Sequence, residues 1–480
     1  MIRMAVADVV EATGATLVAG DASTTFEGME IDSRLIGKGM AFVAFKGERV
    51  DGNAFAASAL EAGAALVVLT DEPGDAVLAA ARKAGAAVLR AAQDDGEEFL
   101  LRAAAAWRRA NPQWVVVGVT GSVGKTTTKE MLAAAIGATK HAYATRGNFN
   151  SLLGVPLTLM RAPQDAEVLV VEMGMNHAGE LERIAACVQP AVAVITNVGT
   201  SHIGNLGSRE AIARAKAEVV GGLQGANGLR PTLVLSAGDD YCEFIANEFA
   251  QPAGVDVMRV GLAGESCVWA EDVTLDEQGM PSFVLACQDG KRLDARLALP
   301  GWAMVLDALS ALGVVCALGL DVRVALDAVE AMRPTSMRLE VCKGEGTPRV
   351  INDSYNASPS SMAAALDVLC SMSCEGRRVA VIGQIGELGD ESQRLHELVG
   401  AYVAAKDVDL LVLVGDEGAR AMRDGACTMG YSQDRVEVFP TALDAARTIA
   451  PILEENDVVL VKASRAVGLE LFAQEVLGSC

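Results

Sequence analysis

The sequence predicts an α/β protein of three domains, and three observations carry that prediction. Short apolar β-type runs alternate with alanine-rich helical stretches almost throughout the chain, the pattern of buried, mostly parallel sheets layered with helices. One run enters a glycine-rich loop that leads straight into a helix. Two breaks divide the 480 residues into blocks 1–95, 96–333 and 334–480, each of a size that can hold its own core.

The strand-like runs are Ala64–Leu69, Trp114–Val119, Val168–Val171, Ala191–Thr196, Val379–Ile382, Asp409–Val414 and Val458–Val461. The first break is the polar stretch Gln93–Glu98, ahead of a helix ending near Asn111–Pro112. The second lies at Arg333–Pro334, where a helical stretch stops at a proline. Inside the middle block, Cys267–Leu299 carries turn signals at Glu277-Gln278-Gly279 and Asp289-Gly290, so an antiparallel piece is expected there. Ala303–Leu320 is the most membrane-like stretch. Asp307 interrupts it and leaves 13 uncharged residues, short of the ~20 that a span needs. A buried helix is expected instead.

Composition narrows the function classes. With 40 Lys+Arg against 62 Asp+Glu the net charge is −22, which argues against general nucleic-acid binding. A local basic pocket for one phosphate-bearing ligand remains allowed. Hydrophobic residues make up 51%, enough for several cores. The first fifteen residues carry Asp8 and Glu11 and lack a long apolar core, so they do not read as a signal peptide. Ten cysteines run from Cys187 to Cys480 without a CxxC pair; they read as reduced thiols of a cytoplasmic protein.

The strongest local signal is Thr120-Gly121-Ser122-Val123-Gly124-Lys125-Thr126-Thr127, between a buried strand and a helix. Such a loop curls its backbone N–H groups around a phosphate at a positive helix end. Lys125 supplies a charge for the β/γ-phosphates and Thr126 a hydroxyl for Mg²⁺. The usual GxxxxGK[ST] pattern would place glycine at 119, where Val119 stands. The loop implies a bound nucleoside triphosphate and names no reaction. Glu172 ends the run Val168–Val171, where strand ends gather ligands, and is a candidate Mg²⁺ ligand or a capping glutamate. His202 follows the run Ala191–Thr196 and reaches the same edge. Lys216 lies in the helical stretch Arg209–Val220. Spacing alone makes it a solvated helix lysine; a carbamate formed with CO₂ would let it bind Mg²⁺.

These residues, with GNFNSLLGVP (147–156), VVEMGMNHAGE (170–180), ITNVGTSHI (195–203) and AKAE (215–218), resemble the Mur ligases, ATP-dependent amide-forming enzymes of bacterial cell-wall precursor synthesis. IDSRLIGKGMAFVAFKGERVDGNAF (31–55) is similar to their uridine-nucleotide-binding domain. INDSYNASPSSM (351–362), IGQIGELGDES (382–392) with His396 following, and VLVKASRAVGLE (459–470) resemble the MurF type. No Asp-Asn-Pro-Arg, the mark of the MurE type, occurs in the third block.

The resemblance implies a small α/β uridine-nucleotide domain, a central P-loop ATPase-like domain and a C-terminal Rossmann-like domain that binds the acceptor and closes on ATP. It implies ATP and two Mg²⁺, a carbamylated Lys216, and metal contacts from Thr126, Glu172 and His202, with Lys125, Lys216, His202 and Glu172 at the reaction centre. Arg338 and Asp353 would close over the nucleotide. Ser354, Tyr355 and Asn356 would meet a D-Ala-D-Ala acceptor. Asn148 and Asn150 would bind substrate, and Ser33, Arg34, Lys46 and Gly47 would hold the uridine nucleotide of a UDP-MurNAc-tripeptide donor. A monomer is expected, with no nucleic-acid partner.

There are departures. The family's PG-x-His-Asn-x-x-Asn-Ala stretch, which helps to hold adenine, reads Pro300-Gly301-Trp302-Ala303-Met304-Val305-Leu306-Asp307-Ala308. Trp302 offers a stacking face for the base or an ordinary packed side chain. Ser151, Ser358 and Ala463 also depart from the family pattern. A MurE-type or folylpolyglutamate-like ligase, a nucleotide-driven switch and a non-catalytic nucleotide binder are the competing readings. Acceptor dependence separates the ligases from the switch.

Overall fold

The computed structural model describes every residue except 1, 2, 48, 49, 262, 263, 265, 479 and 480. Three large sheets follow one another along the chain, and a two-stranded antiparallel pair, Arg3–Ala5 with Thr25–Glu27, lies near its start. The first large sheet has five strands, in the order Thr16–Ala19, Ala87–Arg90, Leu66–Leu69, Ala41–Val43, Met29–Glu30. All pair in parallel except the edge strand Thr16–Ala19.

The central sheet has nine strands. The strand Val115–Thr120 lies third from one edge, flanked by Val168–Glu172 on one side and Val192–Ile195 on the other, all parallel. These strands read as unbroken β-branched runs because helices cover both faces. The far edge is the expected antiparallel piece, Val268–Leu275, Pro281–Cys287 and Arg292–Arg296. The apolar stretch after Gly301 forms the helix Trp302–Ala317, buried on most sides and packed against the phosphate-loop helix Lys125–Gly137. Among the described residues no helix is long and apolar enough to cross a membrane.

The third sheet has six strands, with Arg349–Asn352, Val458–Lys462, Arg378–Gly383, Leu410–Val414 and Val436–Phe439 in parallel and Glu340–Cys342 antiparallel at one edge. Cys187, Cys242, Cys267, Cys287, Cys316, Cys370, Cys374 and Cys427 are free thiols; Cys480 lies outside the described residues.

The helix Gly96–Ala110 begins at Asp95, whose carboxylate accepts the Glu98 N–H at 2.9 Å, one orphan donor satisfied at the helix start. Its Arg108, 6% exposed, donates to the carbonyls of Val188 and Asn111, both at 3.1 Å. This fastens the helix to the central domain. Arg161, at the end of the central helix Gly154–Arg161, pairs with Glu30 of the first sheet.

Candidate functional site

A cavity of about 860 Å³ lies at the carboxyl ends of the central strands, between the second and third domains. That is where an open parallel sheet gathers ligands.

The phosphate loop forms one wall. Gly124 is the residue before the helix Lys125–Gly137 and has φ +87°, a left-handed geometry open to glycine. The Lys125 ammonium donates to the Gly121 carbonyl at 2.7 Å and the Ser122 carbonyl at 3.3 Å. Burial pulls its pKa below the usual lysine value, and the Glu172 carboxylate opposes part of that shift. Ser122, Val123, Gly124, Lys125, Thr126 and Thr127 all line the cavity, whereas Thr120 and Gly121 stand behind it.

Glu172 ends its strand 1% exposed. Its carboxylate accepts the Thr126 hydroxyl at 3.0 Å and the Asn150 amide at 2.8 Å. Its own N–H donates to the Thr145 hydroxyl at 3.0 Å. Thr145 is fixed in turn by Lys129, which is 0% exposed and donates to the Thr145 carbonyl at 2.9 Å. A buried carboxylate held only by neutral groups, beside a threonine hydroxyl, is a donor set suited to a hard divalent cation. Among the described residues no cluster of three or more His, Cys, Asp or Glu side chains forms a metal site by itself.

Lys216 departs from the spacing-based expectation of a solvated lysine. It is 1% exposed, on the helix Arg209–Ala217, and does not line the cavity. Burial, then repulsion from Lys125, lowers its pKa well below the usual lysine value. A lowered pKa raises the share of the neutral amine, which is the nucleophilic form.

His202 lines the cavity with φ +63°. It reaches across the domain boundary. Its Nδ1 lies 2.5 Å from the Glu387 carboxylate, which this contact holds below the usual glutamate pKa. The Gly204 N–H donates to the Glu387 carbonyl at 3.0 Å. The order of pairing therefore makes His202 a link between domains here.

The third domain supplies the opposite wall. Asp353 accepts the Lys462 ammonium at 2.6 Å and the Leu339 N–H at 3.2 Å. Lys462, 2% exposed, also donates to the Asn356 carbonyl at 2.9 Å. Arg338 stacks over Tyr355 at 4.2 Å, a cation–π contact. Arg338, Asp353, Tyr355 and Asn356 line the cavity, as do Asn148 and Asn150 from the central domain. Ser354 does not: it is 1% exposed and donates to the Asn352 side chain at 2.7 Å.

The first-domain candidates stand apart from this cavity. Arg34 pairs with Asp32 at 2.6 Å and Lys46 with Asp71 at 2.8 Å, both at the surface. Gly47 is exposed and Ser33 half-buried. Trp302 is 48% exposed and outside the cavity lining, so it is not an ordinary packed side chain.

Four contributors escaped residue-level reading. Glu387 and Lys462 sit inside segments already noted for their resemblance, 382–392 and 459–470, which is the signal that could have found them. Lys129 follows the loop threonines by one turn. Asp307 showed as a charge in an apolar run and as a departure from the family's adenine-holding stretch, without a role of its own.

Residues 25–108 match the family described as Mur ligase family, catalytic domain. Residues 119–315 match the Mur ligase middle domain and 337–465 the Mur ligase, glutamate ligase domain. The chain is 31% identical over 482 residues to a UDP-N-acetylmuramoyl-tripeptide–D-alanyl-D-alanine ligase of Bacillus subtilis (strain 168), covering 100% of this chain and 99% of that one. It is 34% identical over 510 residues to the protein of the same name from Mycobacterium bovis, covering 99% and 98%. The crystal structure of MurF from Acinetobacter baumannii superposes with a TM-score of 0.88 at 30% identity, over 99% of each chain. With three sheets in this order and a phosphate loop facing the third domain, the chain belongs to the Mur ligase family, on its MurF branch.

Proposed function

We propose that this chain joins D-Ala-D-Ala to the terminal carboxylate of UDP-MurNAc-tripeptide, with ATP converted to ADP and phosphate, in the synthesis of the cell-wall precursor. The observation that carries the reading is the shared cavity: the phosphate loop and Glu172 on one wall face Arg338, Asp353 and Asn356 on the other. The full-length likeness to ligases of that name supports it.

A carboxylate is a poor acyl donor because oxide is a poor leaving group. A donor oxygen attacks the γ-phosphorus of ATP, the bond from that phosphorus to the bridging oxygen breaks, and an acyl phosphate forms. The amine of the dipeptide then adds to the acyl carbon, and the tetrahedral adduct expels phosphate as the amine loses a proton. Loop N–H groups and Lys125 bind the phosphates and balance the charge that develops on them. Thr126 and Glu172 would hold Mg²⁺, and a carbamate on Lys216 would hold a second ion. Bound there, the ions would spread the charge of the transferring phosphoryl group. Carbamylation adds CO₂ to the neutral Lys216 amine and releases one proton. Arg338, Asp353 and Asn356 close the cavity and exclude water, which would hydrolyse the acyl phosphate. The surface around Ser33, Arg34, Lys46 and Gly47 receives the uridine nucleotide. The enzyme works in the cytoplasm as a monomer.

Phosphate release from ATP and Mg²⁺ tests this reading, with both substrates supplied together and each omitted in turn. Release only with both, and a product heavier by the dipeptide less water, is expected. Release without the dipeptide, or none with both, removes it. Lys125→Ala is expected to abolish turnover, by at least about 100-fold, with an unchanged circular-dichroism spectrum.

A further inference from the structure

The helix Trp302–Ala317 carries a carboxyl group into the cavity wall beside the phosphate loop. Asp307 is 6% exposed yet lines the cavity. Its Oδ1 accepts the Thr128 hydroxyl at 3.2 Å. A Cβ on Gly124 would fall 2.4 Å from that same oxygen, so the carboxyl rests directly on the loop. Oδ2 has no protein partner among the described residues.

No counter-charge reaches it, because the charged side chains on the surrounding elements are engaged elsewhere. On the phosphate-loop helix, Lys125 is tied to the loop carbonyls and Lys129 to Thr145 and Glu130. On the helix Val322–Glu330, Arg323 is paired with Asp327 and Glu330. On the strand Asp256–Gly261, Arg259 is held by Glu243 and Asp256 by Arg230. On the strand Val268–Leu275, Glu271 pairs with Arg292, and Asp272 has no ion pair among the described residues. The strands Val192–Ile195, Thr232–Ser236 and Pro281–Cys287 carry no charged residue.

An ionised carboxylate at this place would be buried without compensation. Burial accordingly pushes Asp307 up to about 8, and the Thr128 hydroxyl, which favours the charged form, offsets only part of the shift. Near neutral pH the group is a carboxylic acid with a proton to donate.

We propose that Asp307 is a nucleotide-binding residue that works as a neutral acid: its O–H donates to the bound nucleoside polyphosphate, and its ionisation sets the alkaline limit of nucleotide affinity. The proposal rests on the phosphate-loop half of the reading above, and not on which donor and acceptor are joined.

The sign follows from charge. While Asp307 is protonated, it meets the anionic ligand without repulsion. Once ionised, it shares a low-dielectric wall with the phosphates, so binding must take up a proton. Affinity therefore falls as pH rises through about 8. If only the acid form binds, the dissociation constant grows roughly tenfold between pH 7 and pH 9. Lys125, with its own lowered pKa, would add an alkaline loss of its own, so the comparison between variants decides.

The test is the dissociation constant of ADP in EDTA, measured calorimetrically at pH 7 and pH 9 on the full-length protein and on Asp307→Asn. A ratio of about ten is expected for the unmodified protein and below about two for the variant, with buffer-dependent proton uptake above pH 8 in the first alone. An equal fall in both proteins would assign the loss to Lys125 and overturn the proposal. Thr128→Val provides a second check. Removing the hydroxyl that favours the charged form should move the alkaline fall to higher pH, and an unmoved fall counts against Asp307. Absence of ADP binding at every pH would remove the nucleotide site and the proposal together. Normal ADP behaviour in a protein that forms no amide product would remove only the ligase reading.

Discussion

Lys216 shows how one buried amine changes a prediction. Its spacing on an alanine-rich helix describes an ordinary solvated lysine, whereas the fold covers it to 1% exposure and burial lowers its pKa well below the usual value. Which neighbour covers a helix face is a tertiary fact, absent from the periodicity of the helix itself. The lowered pKa raises the share of neutral amine, and that form can take up CO₂ and become an anion, the form a second Mg²⁺ needs. Lys216→Ala is therefore expected to lose at least about 100-fold in turnover, and short carboxylic acids such as acetate should restore part of it by standing in for the carbamate. Turnover at the original rate in Lys216→Ala, measured by phosphate release, would end the carbamate role. Lys462 teaches the same lesson from the other side. The segment that contains it was noticeable, but its bonds to Asp353 and the Asn356 carbonyl depend on a strand and a loop more than a hundred residues apart.

The strand and helix ends explain which parts of the fold were readable. Val115–Thr120, Val168–Glu172, Val192–Ile195 and Val458–Lys462 lie within a residue or so of the runs expected from the sequence. Parallel strands buried on both faces write themselves as unbroken apolar segments. Strands such as Met29–Glu30 and Ala142–Ala144 are too short to carry a period. The junction of strand, loop and helix at the phosphate loop was equally plain, since its residue types follow from backbone geometry. Gly124 is the hinge of that junction. A side chain there meets two obstacles, φ +87° and the Asp307 carboxyl 2.4 Å from the new Cβ. The left-handed backbone alone costs about 1–2 kcal/mol for an L-residue, so Gly124→Ala is expected to weaken ADP binding by at least about tenfold. Unchanged affinity by calorimetry would mean that the loop does not hold the phosphates in this conformation.

At the scale of the whole molecule, the cavity exists because the third domain leans on the second, and one of the contacts between them is small and close. The short helix Ile203–Leu206 meets the turn Gly389–Glu391, with His202 and the Gly204 N–H both reaching Glu387. Neither domain reveals this contact by itself, because it joins two segments whose motifs look independent in the sequence. Backbones approach so closely that a Cβ on Gly204 would lie 2.5 Å from the Gly389 nitrogen and 2.8 Å from the Glu387 carbonyl oxygen. Backbone atoms cannot swing aside as a flexible side chain can, so Gly204→Ala must push the two domains apart. Phosphate binding by the loop lies within the central domain, while Arg338 and Asp353 come from the third. The expected result is therefore asymmetric: ADP affinity changes by less than about threefold, while turnover falls by about tenfold to a hundredfold, because displacing catalytic groups by an ångström is worth that much. Small-angle scattering should report a larger radius of gyration for Gly204→Ala. A variant with normal turnover and unchanged scattering would show that the contact at Glu387 does not hold the cavity shut, and closure would then rest on the second junction, where the Ser373 N–H donates to the Glu277 carbonyl at 2.8 Å and Gly301 packs on Val368.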